Sequence, residues 1–410
     1  MANGIEDKLS RLAALRPARL SDFQAGAPKH SNSESLIRVL DGENALNRLG
    51  SHIRVRRRPP GPRAGRMDSA ALRLLAPDAV DALCDCTKWI FLDTETTGLA
   101  GGTGTYAFLV GLAWWDEDEF VVEQHFMRDH SEEPSLLLDI AERFALGRVL
   151  VTFNGRSFDW PLLQTRFQMS RVVGIPEPVA HLDLLHPARQ LWRLSLGSVA
   201  LTRLEQHVLE FDRGQDIASE TIPQRYFEFL RGGPPEAIAE VFLHNQMDLC
   251  GLALLSLHIN EILADPENNA CCAAELFGIS RLLQRRGQDH LAGRIYRKAL
   301  GGGLPKPAER VANRELALLA KRSGNYELSK TLWEELLDDS AAGLKAYEQL
   351  AIYYEHRANR PEKAVELARE ALVKLENAFH FRRIAPSQYQ QWHASFHHRL
   401  NRLRTKTAKA

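Results

Sequence analysis

The feature that most constrains this chain is a short apolar run that ends on two carboxylates. Residues 89–93 read WIFLD, a pattern typical of a buried β-strand, and Glu95 follows Asp93 after one threonine. Because residues i and i+2 of a strand point to the same face, both acids are expected to project together from the end of the strand. The two carboxylates repel each other unless a cation lies between them. For D-x-E alone, a helix N-cap or an edge-strand acid pair is the alternative.

Further apolar patterns predict a mixed five-stranded sheet with flanking helices, that is, an α/β domain. The other predicted strands are residues 106–115, 120–127, 149–153 and 178–184. Helical spacing is found at residues 135–146 and 159–169, and helices then dominate to about residue 263. These elements predict one domain over residues 81–265.

Two more polar motifs fall at the boundaries of these elements. NGRSFD places Asp159 at the start of a helix, where it either caps the helix or directs a carboxylate toward the mouth of the sheet. HNQMD places His244 and Asp248 on one face of a late helix, with a surface His–Asp pair as the alternative. Oxygen ligands are those that Mg²⁺ prefers. Two such ions can stabilise both the attacking and the leaving oxygen of a phosphodiester displacement.

These segments resemble the three motifs of DEDD-type 3′-to-5′ exonucleases of the ribonuclease H-like superfamily. FLDTETTGL resembles the first motif, NGRSFD the second and HNQMD the third. More narrowly, residues 88–265 resemble a YprB-type ribonuclease H-like domain, through GLAGGTGTYAFLVGL, HLDLLHPAR, LEQHVL and HNQMDL. The resemblance implies a ribonuclease H-like fold and a nuclease that hydrolyses DNA or RNA from the 3′ end with two Mg²⁺ or Mn²⁺ ions.

The resemblance also implies roles for single residues. The implied metal ligands are Asp93, Glu95, Asp159 and Asp248. One branch of these exonucleases has a Tyr four residues before the last Asp, and the other has a His five residues before it. Here His244 stands four residues before Asp248, and Leu243 occupies the other position. His244 is therefore a candidate general base, and positioning of water or contact with phosphate is its alternative role.

Three further residues are candidates for contact with nucleic acid. Gly102 lies in a Gly-rich loop, where the missing Cβ lets the backbone approach a terminal nucleotide. Asn154 would position the end of the strand, although closing the loop of NGRSFD is an equal alternative. Arg156 would contact a phosphate, and a solvated arginine is the alternative.

From about residue 270 the sequence is helical and repeats. The segments LAGRIYRKAL, LSKTLWEELL and KAVELAREAL carry a small residue at Ala292, Ser329 and Ala364, with offsets of 37 and 35 residues. This spacing is near the tetratricopeptide period and predicts an all-α tetratricopeptide-like domain over residues 270–378. Such repeats present a concave face that usually binds a protein or peptide. An irregular helical bundle is the alternative.

The two ends of the chain are predicted to lie outside these domains. Residues 1–80 are polar and Pro-interrupted, so they are expected to be poorly ordered or to drape over the rest. Residues 379–410 read as a basic tail, with seven Arg or Lys and no Asp or Glu from Phe381 onward. Lys plus Arg and Asp plus Glu both number 52, which excludes a strongly basic protein overall but not a basic groove.

The composition also bounds the compartment. The five cysteines form neither a disulfide framework nor a zinc pattern, which favours a reducing compartment. Neither a signal peptide nor an uninterrupted apolar run of about 18 residues is found, so a cytoplasmic protein without a membrane span is expected. Two alternatives to an exonuclease stay open. One is a non-catalytic scaffold that binds nucleic acid and recruits a protein, and the other is an endonuclease for structured nucleic acid.

Overall fold

The chain is built around one mixed β-sheet. The computed structural model describes residues 29–65, 67–77, 83–98, 104–144, 148–172, 177–338 and 343–407. The strands of the sheet are β1 (Glu43–Asn47), β2 (Gly50–Arg57), β3 (Trp89–Thr96), β4 (Ala107–Asp116), β5 (Glu119–Phe126), β6 (Val149–Thr152) and β7 (Ala180–Asp183). They are hydrogen-bonded in the order β1-β2-β5-β4-β3-β6-β7. Strands β6 and β7 run parallel to β3, and the other pairs are antiparallel.

The α/β class and all five predicted strands, β3 to β7, are confirmed, but the sheet has seven strands rather than five. The two additional strands come from residues 43–57, so the expectation that residues 1–80 are poorly ordered is wrong for this stretch. Buried and polar residues alternate along residues 53–56, and this alternation is why the stretch forms a strand. Ile53 and Val55 are buried, while Arg54 donates to Glu43 at 2.8 Å and Arg56 donates to Glu123 at 2.9 Å. Residues 50–57 therefore form a strand with one buried face and one polar face.

Helices cover both faces of the sheet. They are α1 (Lys29–Leu40), α2 (Ser69–Leu75), α3 (Glu133–Phe144), α4 (Asp159–Met169), α5 (Leu185–Leu196), α6 (Leu201–His207), α7 (Ile222–Leu230) and α8 (Glu236–Ala264). Phe91 belongs to a core on one face, together with Leu249 of α8. Leu92 belongs to the core on the other face, together with Leu163 of α4. The strand that carries the two acids is thus fixed from both sides.

Helix α8 lies across the centre of the sheet, against β3, β4 and β5. By length and composition it is the one helix of the described residues that would be able to cross a membrane. Most of the apolar window, 61%, is buried inside the protein, as in the core helix of a globular domain. Its apolar residues pack into both cores, for example Phe242 and Leu252.

The rest of the described chain is helical. This helical region comprises α9 (Pro266–Asn269), α10 (Ala273–Arg285), α11 (Asp289–Gly301), α12 (Lys306–Arg322), α13 (Tyr326–Glu335), α14 (Gly343–His356), α15 (Pro361–His380) and α16 (Pro386–Thr407). Polar turns lie between α10 and α11, between α12 and α13, and between α14 and α15. The small residues Ala292, Ser329 and Ala364 are buried in the second helix of each pair.

The predicted basic tail is wrong for residues 386–407, which form the packed helix α16. Phe396, Leu400 and Leu403 recur at helical spacing and are buried. Arg399 and Arg402 donate to the buried carboxylate of Glu355, so part of the positive charge of this segment is neutralised inside the protein. The segment reads as a tail in sequence because its apolar residues are widely spaced among polar ones.

Candidate active site

The five residues predicted as catalytic lie together around the C-terminal half of strand β3. Strand β3 carries Asp93 and Glu95, α4 begins at Asp159, and α8 carries His244 and Asp248. Carboxylate oxygens of Glu95 and Asp248 and a ring nitrogen of His244 all lie within 4.8 Å of one another. Asp93 and Asp159 belong to the same group, because the charge of Asp248 raises the pKa of both. These five residues are called the acidic site below.

Burial and mutual repulsion raise the pKa values of three of these acids, Asp93, Glu95 and Asp159. Burial raises the pKa of Asp93 well above its usual range, and the charges of Asp248, Glu95 and Asp159 add to the effect. Burial likewise raises the pKa of Glu95 to about 8, with repulsion from Asp248 and Asp159. For Asp159, burial raises the pKa to about 6 in spite of a hydrogen bond from Thr94. A cation would relieve this repulsion, so the donor set fits a hard divalent ion such as Mg²⁺ or Mn²⁺.

Asp93 is held by a side chain that sequence reasoning missed. Asn245 Nδ2 donates to Asp93 Oδ2 at 2.7 Å, and Asn245 Oδ1 accepts from Gln124 Nε2 at 2.8 Å. Gly111 of β4 lies opposite Asp93 in the register, and a Cβ there would overlap the Asn245 amide. The glycine therefore lets α8 approach the sheet closely enough for Asn245 to reach the carboxylate. The signal was present in HNQMD, between His244 and Asp248.

His244 is oriented by a loop that precedes α7. Its Nδ1 is 2.7 Å from Asp216 Oδ1, and its Nε2 is 3.3 Å from Ser219 Oγ and 3.4 Å from Asp248 Oδ2. A carboxylate accepts only, so the proton of a neutral imidazole is assigned to Nδ1 and Nε2 is left as the acceptor. The pKa of Asp216 is lowered, because hydrogen bonds from His244 and Arg213 outweigh the opposing effect of burial.

Arg213, in the same loop, binds three carboxylates of the region. It donates to Asp248, to Glu205 and, at 3.0 Å, to Asp216. These contacts raise the pKa of the guanidinium further, although burial opposes them. Glu205 lies over Gly251 of α8, where a Cβ would overlap its carboxylate. Oδ1 of Asp248 is thereby engaged by a cation of the chain, and Oδ2 is the oxygen that faces His244.

The NGRSFD turn is held by hydrogen bonds from its backbone to the Asp183 carboxylate rather than by its own side chains. Asp183 Oδ1 accepts from the backbone N–H groups of Asn154 at 2.9 Å and Leu185 at 3.0 Å, and Oδ2 accepts from that of Arg156 at 3.1 Å. Asn154 has a φ of 69°, a left-handed conformation that Asn tolerates. The side chains of Asn154 and Arg156 are exposed, and the Arg156 guanidinium donates to the carbonyl of His181. Gly102 lies outside the described residues.

Two comparisons with known proteins agree with this architecture. Residues 90–260 match a family model described as the RNase_H superfamily, and this span contains the whole acidic site. The chain is also 30% identical over 286 residues to "Uncharacterized protein YprB" of Bacillus subtilis (strain 168), which covers 69% of this chain and 68% of the relative. The chain therefore carries a ribonuclease H superfamily domain and belongs to the family that includes the YprB protein of Bacillus subtilis.

Proposed function

We propose that the chain is a divalent-metal-dependent nuclease that removes nucleotides from the 3′ end of DNA or RNA. Ribonuclease H-like domains are generally those of hydrolytic nucleases. The observation that carries the proposal is the gathering of Asp93, Glu95, Asp159 and Asp248 in one place. Four acids whose charges oppose one another have no evident structural purpose, whereas they suit cations that would in turn hold a phosphate.

The same four acids would hold two Mg²⁺ or Mn²⁺ ions. When bound, these ions would lower the pKa of an attacking water and offset the charge of the scissile phosphate. The residues of the chain supply orientation: Asn245 fixes the Asp93 carboxylate at 2.7 Å and Thr94 fixes that of Asp159. Ligands held by neighbouring hydrogen bonds are already in position before the ions arrive.

His244 would act on the proton of the attacking water. Asp216 accepts at Nδ1, so Nε2, which faces Asp248 and Ser219, is the nitrogen that would take a proton. Imidazole is the side chain that most often transfers protons in enzymes, which suits a general base. Arg156 and Asn154, both exposed beside the site, would contact the nucleic acid.

We further propose that the helical region is tetratricopeptide-like and recruits a protein partner, and that the protein acts in the cytoplasm. The helix–turn–helix pairs with buried small residues at Ala292, Ser329 and Ala364 support the repeat assignment.

A cleavage assay tests the nuclease proposal. Single-stranded DNA and RNA, labelled at either end, are incubated with the full chain and Mn²⁺ or Mg²⁺. We expect a ladder that shortens from the 3′ end and is abolished by EDTA and by Asp93→Asn. The matched control is Asp118→Asn in the exposed turn between β4 and β5, which should leave the ladder intact. Cleavage of a circular single strand would instead favour an endonuclease, because an exonuclease needs an end.

A second candidate function is supported by the contact between Arg213 and Asp248. A cation of the chain already neutralises one oxygen of the fourth acid, as expected of a site that binds nucleic acid without cutting it. Titration with Mn²⁺, followed by electron paramagnetic resonance, separates the two candidates. Binding that is lost in Asp93→Asn supports the nuclease, and the absence of carboxylate-dependent binding supports the non-catalytic scaffold.

A further inference from the structure

A groove in the helical region plays no part in the chemistry above. It has a volume of about 550 Å³ and is lined by residues of α10, α12, α13 and α14. Leu318, Leu350 and Ile352 supply an aliphatic part of its lining. The groove therefore offers apolar contact to a ligand, as peptide-binding clefts do.

Two cations in this groove lack an acidic partner among the described residues. Lys321 Nζ donates to Gln349 Oε1 at 2.8 Å, and Arg357 donates to the Tyr326 hydroxyl at 2.6 Å while lying 4.1 Å from the centre of the Tyr326 ring. The pKa of Lys321 is lowered by burial first and by the nearby Lys345 second. An anion in the groove would stabilise the charged form of Lys321.

The other cations of the groove are already paired. Arg322 lies 3.2 Å from Asp289, and Lys330 lies 3.8 Å from Glu334. Among the described residues of the groove, Lys321 and Arg357 are thus the cations without a carboxylate partner, and the groove acid Glu315 is paired with Arg314. A nucleic-acid strand is usually held by cations repeated along its phosphates, together with open aromatic faces. One localised positive site beside aliphatic residues fits a carboxylate on a peptide better.

A third donor in the groove has no acceptor. Trp333 lines the groove and is 1% exposed, and its indole Nε1 has no hydrogen-bond partner within the described part of the chain. A buried N–H without an acceptor is unfavourable, so such groups are rare in native proteins. A carbonyl or carboxylate oxygen of a ligand would satisfy it.

We propose that this groove binds a short peptide segment that carries both apolar side chains and a carboxylate. The carboxylate of an acidic side chain pairs with Lys321 and Arg357. A backbone carbonyl accepts from Trp333, and the apolar side chains contact Leu318, Leu350 and Ile352. This inference rests on the proposed recruiting role of the helical region and names the chemistry of the partner, but it does not require nuclease activity.

Fluorescence anisotropy with the full chain tests the groove. The probe is a fluorescein-labelled decapeptide of alternating leucine and glutamate, compared with a leucine–glutamine decapeptide and a ten-nucleotide oligothymidylate. We expect the glutamate peptide to bind at least about tenfold more tightly than either comparison ligand, since its carboxylates form charge-assisted hydrogen bonds. Lys321→Met should weaken its binding about tenfold. Trp333→Phe, which keeps an aromatic ring but removes the donor, should weaken it about threefold.

Lys363→Met is the matched control, because Lys363 is paired with Glu366 outside the groove. This variant should bind the probe as tightly as the native chain does. Equal affinity for the glutamate and glutamine peptides, or equal affinity of Lys321→Met and Lys363→Met, would overturn the proposal. Preferential binding of oligothymidylate that is lost in Lys321→Met would overturn it in favour of nucleic acid. End-labelled cleavage is measured on the same preparations, so an inactive nuclease with Lys321-dependent peptide binding would remove only the nuclease proposal.

Discussion

Asp216 is the side chain that fixes the imidazole of His244 in the acidic site, at 2.7 Å from its Nδ1. We predict that Asp216→Asn lowers kcat at least about tenfold and leaves KM nearly unchanged, because partners of this kind act through the group that they orient. Steady-state kinetics on an end-labelled oligonucleotide measure both constants. Asp212→Asn is the control, since Asp212 is exposed in the same loop and its one hydrogen bond among the described residues is from Gly214 N.

A rise in KM with an unchanged kcat would contradict this positioning role and would indicate that Asp216 acts in substrate binding. A loss of thermal stability in Asp216→Asn would also change the interpretation, because Asp216 accepts from Arg213 as well. Circular dichroism melts of both variants therefore accompany the kinetics.

His52 offers a pH prediction that is independent of the acidic site. It is fully buried, its Nδ1 is 2.9 Å from Ser135 Oγ, and its Nε2 is 2.9 Å from His125 Nδ1. With Asp139 these histidines have the spacing of a metal site, but both ring nitrogens of His52 already have partners. Burial first, and His125 second, lower the pKa of His52 to about 3.

The unfolded chain should therefore bind a proton at His52 near pH 6.5, while the folded chain should not do so until about pH 3. Stability contributed by this group is full above pH 6.5 and falls by about 1.4 kcal/mol for each pH unit below it. Urea unfolding at pH 6.5, 5.5 and 4.5 should show a steeper loss for the native chain than for His52→Gln. The exposed His186→Gln should retain the native slope. Equal slopes for all three proteins would mean that His52 is protonated in the fold.

Which site residues are predictable from the sequence depends on how local their signal is. Asp93 and Glu95 follow from the end of an apolar strand, and Asp248 follows from its motif on a helix. Arg213 and Asp216 lie in an irregular loop whose contacts to α8 span 28 to 35 residues. No periodicity marks such a loop, so only the folded chain reveals that its side chains reach the site.

The close approach of α8 to the sheet depends on Gly111 in β4. A methyl group there would meet the Asn245 amide and, at 2.8 Å, Leu249 Cδ1. We predict that Gly111→Ala destabilises the fold by about 2 kcal/mol, because overpacking a filled interior forces the helix outward. It should also lower cleavage, since Asn245 would no longer hold Asp93 at 2.7 Å. Chemical denaturation and the end-labelled cleavage assay measure the two effects.

Gly104→Ala is the matched control for Gly111→Ala, because no atom of the described residues, its chain neighbours aside, lies within 4 Å of a Cβ at Gly104. It should change the free energy of unfolding by less than about 0.5 kcal/mol. If both variants had the same stability, the helix would not depend on a glycine at position 111.

The strands show why patterns succeed in one part of a sheet and fail in another. Central strands such as β3 and β4 are buried on both faces and read as continuous apolar runs. Strand β2 has one polar face of arginines, so its sequence also fits a solvated linker. The partner of this polar face is β5, where Glu123 lies opposite Arg56 and accepts its hydrogen bond. Local composition cannot reveal a partner so distant in the sequence.

The sheet domain and the helical region share one apolar core, which makes the boundary near residue 265 different from a flexible linker. The core cluster that includes Phe91 continues through Trp192 of α5 to Phe277 of α10. Trp192 Nε1 donates to Glu275 at 2.5 Å, and Gly278 of α10 lies against the backbone of Gln190. We infer that the two parts unfold as one cooperative unit, since separating them would expose this shared core.

Gly278 and Gly293 provide a matched pair for testing this unit. A Cβ at Gly278 would overlap the carbonyl of Gln190 and lie 2.9 Å from Leu191 Cα. Outside its own helix, a Cβ at Gly293 would meet one atom of the described residues, Leu316 Cδ1, at an ordinary 3.8 Å. We predict that Gly278→Ala lowers the free energy of unfolding by about 2 kcal/mol, because backbone atoms cannot yield as a flexible side chain can. Gly293→Ala should instead stabilise α11 by up to about 1 kcal/mol, as expected for alanine in a helix.

Limited proteolysis then distinguishes a shared core from two independent domains. If α10 is displaced from α5, residues 265–272 should become cleavable in Gly278→Ala under conditions in which the native chain and Gly293→Ala stay intact. Two separate unfolding transitions already present in the native chain would contradict the cooperative unit. In that case the helical region would be a module that is merely docked on the sheet domain, and Gly278→Ala should then alter one transition and leave the other at its native midpoint.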